Sequence, residues 1–230
     1  MEAVRRAIVT IAFRERYLPY QDRLFQSLAS NGYDEPIVFW RDQLPPGAPS
    51  HQDIWYGWKP HCLDHARRMG FNVLLWLDAG CYAIKPIEPV FQRIERDGHL
   101  FVDNGLAERV GEFTSDKMLK AFNVTRDQAM EMPLFTGRIY GLDLRLPKAN
   151  EWLDRWLACV PELFEKDRPW MFVSDDPRVR GHRSDESAAA LIANDLGMKS
   201  ENIVGNLFTG GFDPSPDTCL MSGYDWKPKP

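Results

Sequence analysis

Three short stretches hold residues whose types and spacing could do chemistry. The first is FNVLLWLDAGC, residues 71–81, an apolar run that stops on an acid. A buried strand made of Val73, Leu74, Leu75, Trp76 and Leu77 has no packing reason to end in Asp78. At the carboxyl end of a strand in an open α/β sheet such a carboxylate stands where ligands bind, because strand ends and helix N-termini converge there. Asp-Ala-Gly is equally ordinary turn chemistry, with Gly80 supplying a positive φ. The second stretch, WYGWKP at 55–60, sets three aromatics around Gly57 and puts Lys59 directly before a proline that can begin a helix. It reads either as a packed aromatic corner or as a holder that gives Lys59 an anionic partner such as a diphosphate. The third is GHRSDESAAALIA at 181–193. Ser184 suits a helix N-cap, and Asp185 and Glu186 in the first turn stabilise the positive end of the helix dipole. That account leaves His182 and Arg183 over. Beside two acids they make a mixture of donors and acceptors suited to the hydroxyls and phosphates of a polar ligand.

The elements that must position these residues follow from hydrophobic period and breakers. Residues 7–13 (AIVTIAF) predict a buried strand, and YLPYQDRLFQSLASNGY after it an amphipathic helix closed by Gly32. EPIVFW is a second strand, followed by the Pro-rich connection RDQLPPGAPSHQ and a helix that Gly70 stops. Beyond the strand at 71–81, Pro86 and Pro89 introduce the helix VFQRIERDG, and HLFVDN is a further strand. DKMLKAFNV has helical pattern, and MPLFTGRIYGLDLR reads as a strand broken by two glycines. A Trp-rich helix, KANEWLDRWLACVPELFEK, and a helix over DESAAALIANDLGM come next; the Gly- and Pro-rich tail from residue 206 shows little periodicity. Alternation of strand and helix is the pattern of a mostly parallel sheet covered on both faces, here one α/β domain over residues 1–230.

Taken in order, the three stretches resemble the glycosyltransferases of the GT-A fold, and more closely the small bacterial and viral members. Those carry a W-K-P segment, an apolar strand ending in D-[AS]-G-C and an R-x-D-[QE]-S segment opening a helix, matched here by Trp58-Lys59-Pro60, Asp78-Ala79-Gly80-Cys81 and Arg183-Ser184-Asp185-Glu186-Ser187. LFTGRIYGLDL, residues 134–144, is similar to the family's Gly-containing strand on the acceptor side, so the resemblance spans approximately residues 7–200. It implies a GT-A-like (Rossmann-like) mixed, mostly parallel sheet. It implies that Thr10, Ala12, Phe13 and Arg14 hold a donor nucleotide with Trp58, Lys59, His182 and Arg183, and that Phe135, Thr136 and Gly137 face the acceptor. Asp78, Ala79 and Gly80 would sit where the family's D-x-D motif touches ribose and metal. Asp185 would accept hydrogen bonds from donor-sugar hydroxyls, and Glu186 would lie near the anomeric carbon. The implied reaction moves a hexose or pentose from a nucleoside-diphosphate sugar to a hydroxyl acceptor, a saccharide in the family's common case, with a protein or a modified nucleic-acid base as alternatives, and a divalent cation, Lys59 or Arg183 would stabilise the departing diphosphate. Position 80 is Gly, so the second acid of a D-x-D is missing, and Mn²⁺ or Mg²⁺ would have Asp78 and, near the end of the chain, Asp225.

Composition bounds the alternatives. With 28 basic and 33 acidic residues the net charge is -5, which argues against a surface built to hold nucleic-acid backbone, although RVRGHR is a small basic cluster. Cys62, Cys81, Cys159 and Cys219 lie far apart with no CxxC pair, the pattern of free thiols in a reducing compartment. Charged residues interrupt the apolar run of MEAVRRAIVTIAFRERY, and no segment reaches the roughly 18 apolar residues of a membrane span, so a cytoplasmic protein is expected. Two other functions fit the same pattern. One is a degenerate sugar-nucleotide-fold protein that binds without transferring. The other is a nucleotidyltransferase, disfavoured because AFRERYLPY has basic residues but no glycine after the first strand. Trp170 and Phe172 could form a sugar-stacking platform or anchor their own loop.

Overall fold

A computed structural model describes residues 3–104, 107–164, 174–203, 205–210 and 213–223. Residues of β1 (Arg6–Ala12) are buried almost throughout, and the chain returns through α1 (Leu18–Ser30) to β2 (Ile37–Arg41), which pairs parallel to β1. α2 (Trp58–Arg68) leads to β3 (Val73–Leu77), parallel to β1 on its other side. A turn then gives β4 (Cys81–Ala83), α3 (Glu88–Asp97) and β5 (His99–Asp103). Ser115 and Thr125 cap two short helices, α4 (Asp116–Ala121) and α5 (Arg126–Met130). β6 (Phe135–Asp143), α6 (Pro147–Leu163), α7 (Ser184–Asp195), β7 (Phe208–Gly210) and β8 (Leu220–Ser222) complete the order.

The main sheet has the order β2-β1-β3-β6-β5. β6 is antiparallel to both β3 and β5, so four strands point one way and β6 points against them. This is the mixed, mostly parallel sheet flanked by helices that the sequence pattern implied. Because side chains alternate along a strand, the sheet has two apolar faces. Leu74 and Trp76 pack with α2, α6 and α7; Val73, Leu75 and Leu77 pack with α1, α3 and the small sheet β4-β8-β7.

The reversal of β6 decides what meets what. Its first residues lie beside the carboxyl end of β3, with Leu77 opposite Ile139 and Asp103 of β5 opposite Phe135. One edge of the sheet therefore collects the carboxyl ends of β1, β2, β3 and β5 and the start of β6. The two glycines do not break β6. A Cβ on Gly141 would stand 2.5 Å from Ile94 Cγ1, and one on Gly137 would stand 2.8 Å from Lys59 Nζ, so both glycines serve close approach within a continuous strand. On the α6–α7 side Trp152 Nε1 donates to Ala189 O at 3.0 Å and Trp156 Nε1 to Asp185 O at 3.2 Å, which fixes the start of α7 against α6.

Candidate active site

Asp78 follows β3 at the collecting edge. Its backbone N–H donates to Arg138 O of β6 at 3.0 Å, and Cys81 N–H closes the turn onto Asp78 O at 2.9 Å. The turn forms without the positive φ expected at Gly80. The carboxylate is held from two sides: Trp76 Nε1 donates to Oδ1 at 2.9 Å, and Lys59 Nζ lies 3.5 Å from the same oxygen.

Lys59 projects from the first turn of α2 into a place with 3 % exposure. Its ammonium pairs with Asp185 Oδ2 at 2.8 Å, donates to Gly137 O at 2.9 Å and lies within ion-pair distance of Asp78. Burial opposes the charge, but Asp185 and Asp78 outweigh it and hold the lysine well above its usual range. Beside it Glu186 Oε1 accepts from Gly137 N–H at 2.9 Å. Burial, then the charge of Asp185, raise Glu186 to about 7, against the opposing pull of Arg183, Lys59 and that N–H. Arg183 spans Glu108 (2.6 and 3.1 Å) and Glu186 (3.2 Å), and Asn104 Nδ2 donates to Glu108 Oε2 at 2.6 Å. His182 is buried under the start of α7, where burial lowers it to about 4 and Ser115 N–H approaches Nδ1 at 3.2 Å. Ser184, expected as the N-cap, is instead the first helical residue; Ser187 N–H bonds back to Arg183 O at 2.8 Å.

Two cavities open on this cluster. One, of about 370 Å³, has an aromatic wall of Phe13, Tyr17, Trp55, Tyr56 and Trp58 together with Arg14, Arg16 and His51. The other, of about 310 Å³, is lined by charged and polar groups that include Lys59, Arg183, Asp185 and Glu186. Trp55, Tyr56 and Asp78 belong to both, so the two form one cleft with Asp78 at the junction. A cleft of this size, with an apolar end for a flat ring and a polar end for hydroxyls, matches the ordinary form of small-molecule sites.

No family model matches the chain, and no curated protein matches it in sequence. Solved structures do match in shape. Mouse xyloside xylosyltransferase 1 in its apo form superposes with a TM-score of 0.56 at 11% identity, covering 99% of this chain and 100% of that one. A glycosyltransferase involved in the glycosylation of the major capsid of PBCV-1 superposes with a TM-score of 0.53 at 11% identity, covering 97% and 94%. The chain has the fold of these glycosyltransferases.

Within that fold, Phe13, Arg14, Trp58, Asp78 and Ala79 stand at the aromatic end of the cleft. Lys59, Thr136, His182, Arg183, Asp185 and Glu186 stand at the charged end, with Gly137 contributing its backbone. Four expected residues lie off the cleft walls. Thr10 and Ala12 are buried along β1, Phe135 stacks on Phe101 at 5.1 Å, and Gly80 offers its carbonyl to Arg23 at 2.6 Å. Asp225, Trp170 and Phe172 fall outside the described residues. Several lining residues had no local signal in the sequence: Arg16, His51, Asn104, Glu108 and Arg138. Asn104 had the nearest thing to one, since HLFVDN, like the strand before Asp78, ends in polar residues at a strand's carboxyl end. In RVRGHR, Arg178, Arg180 and Arg183 pair with Asp176, Glu112 and Glu108, so that basic cluster is locally neutralised.

A divalent cation needs several oxygen ligands. Among the described residues no group of three or more His, Cys, Asp or Glu is arranged to hold one, and Asp78 Oδ1 already receives an indole N–H and an ammonium. Of the two ligands expected for Mn²⁺ or Mg²⁺, Asp78 stands in the cleft and Asp225 lies outside the described residues. The four cysteines are buried free thiols, and no helix among the described residues is long and apolar enough to cross a membrane.

Proposed function

We propose that the protein is a glycosyltransferase that moves a sugar from a nucleoside-diphosphate sugar to a hydroxyl group of an acceptor, a saccharide being the best match to a cleft lined by polar groups. The observation that carries this reading is the two-ended cleft with Asp78 at its junction. The nucleoside takes the aromatic end, the diphosphate passes Asp78, and the sugar meets Asp185 and Glu186. In the reaction the bond from the anomeric carbon to the diphosphate oxygen breaks with its electron pair leaving on the diphosphate, and the acceptor oxygen bonds to that carbon. The proton released by the acceptor needs a base. Glu186, raised to about 7 by burial and Asp185, is part ionised near neutrality and is suited to take it. Asp185, tied to Lys59, stays fixed as an acceptor for sugar hydroxyls.

The test is a thermal-shift series of the purified protein with UDP-, GDP-, dTDP- and CMP-linked sugars. A donor at 100 times its dissociation constant adds about 2.7 kcal/mol, roughly 5–10 °C for a chain of this size. One donor class is expected to give such a shift, and Asp78→Ala to abolish it. A shift that survives in Asp78→Ala removes Asp78 from the donor site; no shift with any nucleotide sugar, with Mn²⁺ and without it, overturns the transferase reading.

A further inference from the structure

We propose that the donor diphosphate is held by arginines of this chain, Arg14 and Arg16, and that Lys59 supplies at Asp78 the positive charge that a divalent cation would otherwise bring. The inference rests on the transferase reading above and concerns how its cleft handles charge. Lys59 sits where a metal ion would have to coordinate. It pairs with Asp185 at 2.8 Å, donates to Gly137 O at 2.9 Å and lies 3.5 Å from Asp78, a buried counter-ion already shared between two carboxylates. A dication on the same carboxylate would press a second and larger positive charge against that ammonium. The two residues that could complete a D-x-D turn after Asp78 bring no carboxylate. Position 80 is glycine, and Cys81 is a buried soft sulfur with Sγ 3.5 Å from Arg138 O.

The cleft still needs cations for the two phosphates; Arg138, at the charged end, donates to Ser222 Oγ at 3.2 Å, and two more arginines stand in the wall beside Asp78. Arg14 and Arg16 line the aromatic end together with Asp78. Among the described residues neither guanidinium has a carboxylate within ion-pair distance, whereas Arg183 is already committed to Glu108 and Glu186. Arg14 is also held in a conformation that L-residues rarely adopt, with φ 68° and its N–H bonded to Asp42 Oδ1 at 3.1 Å. Strain of this kind persists where surrounding structure enforces it, and here it fixes the backbone that presents a cation to the junction. Arg16 lies two residues further, in the short 3-10 turn Glu15–Tyr17, with its guanidinium 4.6 Å from the Tyr17 ring centroid. Guanidinium forks match phosphate oxygens in pairs, which a point charge does not.

The deciding experiment is calorimetric titration of the full chain with UDP, GDP, dTDP and CMP and their sugars, first in EDTA and then with Mn²⁺ or Mg²⁺. The nucleotide that binds is expected to do so in EDTA, with affinity changed less than about threefold by either metal. Arg14→Gln combined with Arg16→Gln is expected to weaken it by about tenfold to a hundredfold, the worth of one or two charge-assisted hydrogen bonds, with the melting temperature of the free protein unchanged. Binding that appears only with metal, or that the double substitution leaves intact, overturns this assignment and leaves the transferase reading standing. Absence of binding to every nucleotide and nucleotide sugar, with metal and without, overturns both.

Discussion

Lys59 is a charge placed out of reach of water, and its worth is measured by what its removal leaves behind. Without it Asp185, itself 4 % exposed, keeps a buried negative charge with Glu186 next to it. Breaking a buried pair by deleting one partner costs about 3–5 kcal/mol, mostly the penalty of the orphaned charge. Lys59→Met is therefore expected to lower the unfolding free energy by about that much in urea titration, and Lys59→Met with Asp185→Asn to recover a large part of it. Equal losses in the single and double variants would show that Lys59 matters for packing alone. The sequence marked Lys59 as a cation with an anionic partner, but suggested a diphosphate. Its observed partners come from positions 78 and 185, and no local pattern can state that two segments so far apart share one lysine.

At the scale of elements, β6 is where the site and the core are built into one strand. A Cβ at Gly137 would meet Lys59 Nζ at 2.8 Å, Glu186 Oε1 at 3.0 Å and Asp185 Oδ2 at 3.2 Å; at Gly141 it would meet Ile94 Cγ1 at 2.5 Å. Both alanine variants are expected to lose about 1–3 kcal/mol from overpacking. Their effects then separate: Gly141→Ala keeps the thermal shift given by the donor, and Gly137→Ala loses it, because only Gly137 touches the ion cluster. Long elements such as β1, β3, α1 and α6 were legible because their apolar period is set by their own burial. β4, β7 and β8 were not. Each has three residues in a Gly- or Pro-rich setting and forms only because a partner strand is brought to it. The direction of β6 was hidden too, since a strand buried on both faces reads alike in either sense.

For the molecule as a whole, two buried groups pull its pH dependence in opposite directions. Glu186 is raised by burial and Asp185 from the ordinary 4.5 to about 7, so its folded form binds a proton more tightly; that stabilisation is complete below 4.5 and is lost as pH rises through about 7. His182 is lowered by burial from 6.5 to about 4, so its contribution is complete above 6.5 and is lost as pH falls through about 4. Across the shared window the two offset each other. Glu186→Gln is expected to leave His182, with His51 and His61 that burial lowers in the same sense, so that melting temperature climbs between about pH 4 and 6.5 and the decline toward neutrality disappears. A variant whose profile matches the parent would show that Glu186 is not the group titrating there. The place of β6 also has a consequence for the chain as it is made. β6 lies between β3 and β5 yet follows both in sequence, and β5 pairs with no other strand of the sheet. While the nascent chain lengthens on the ribosome, β3 has an open edge and β5 has no place to dock, the condition in which unpaired strands recruit one another. Residues 135–143 fill that gap and bring the Gly137 carbonyl to Lys59, so the strand that closes the sheet also lays the floor of the charge cluster, which Asp185 and Glu186, later in the chain, complete.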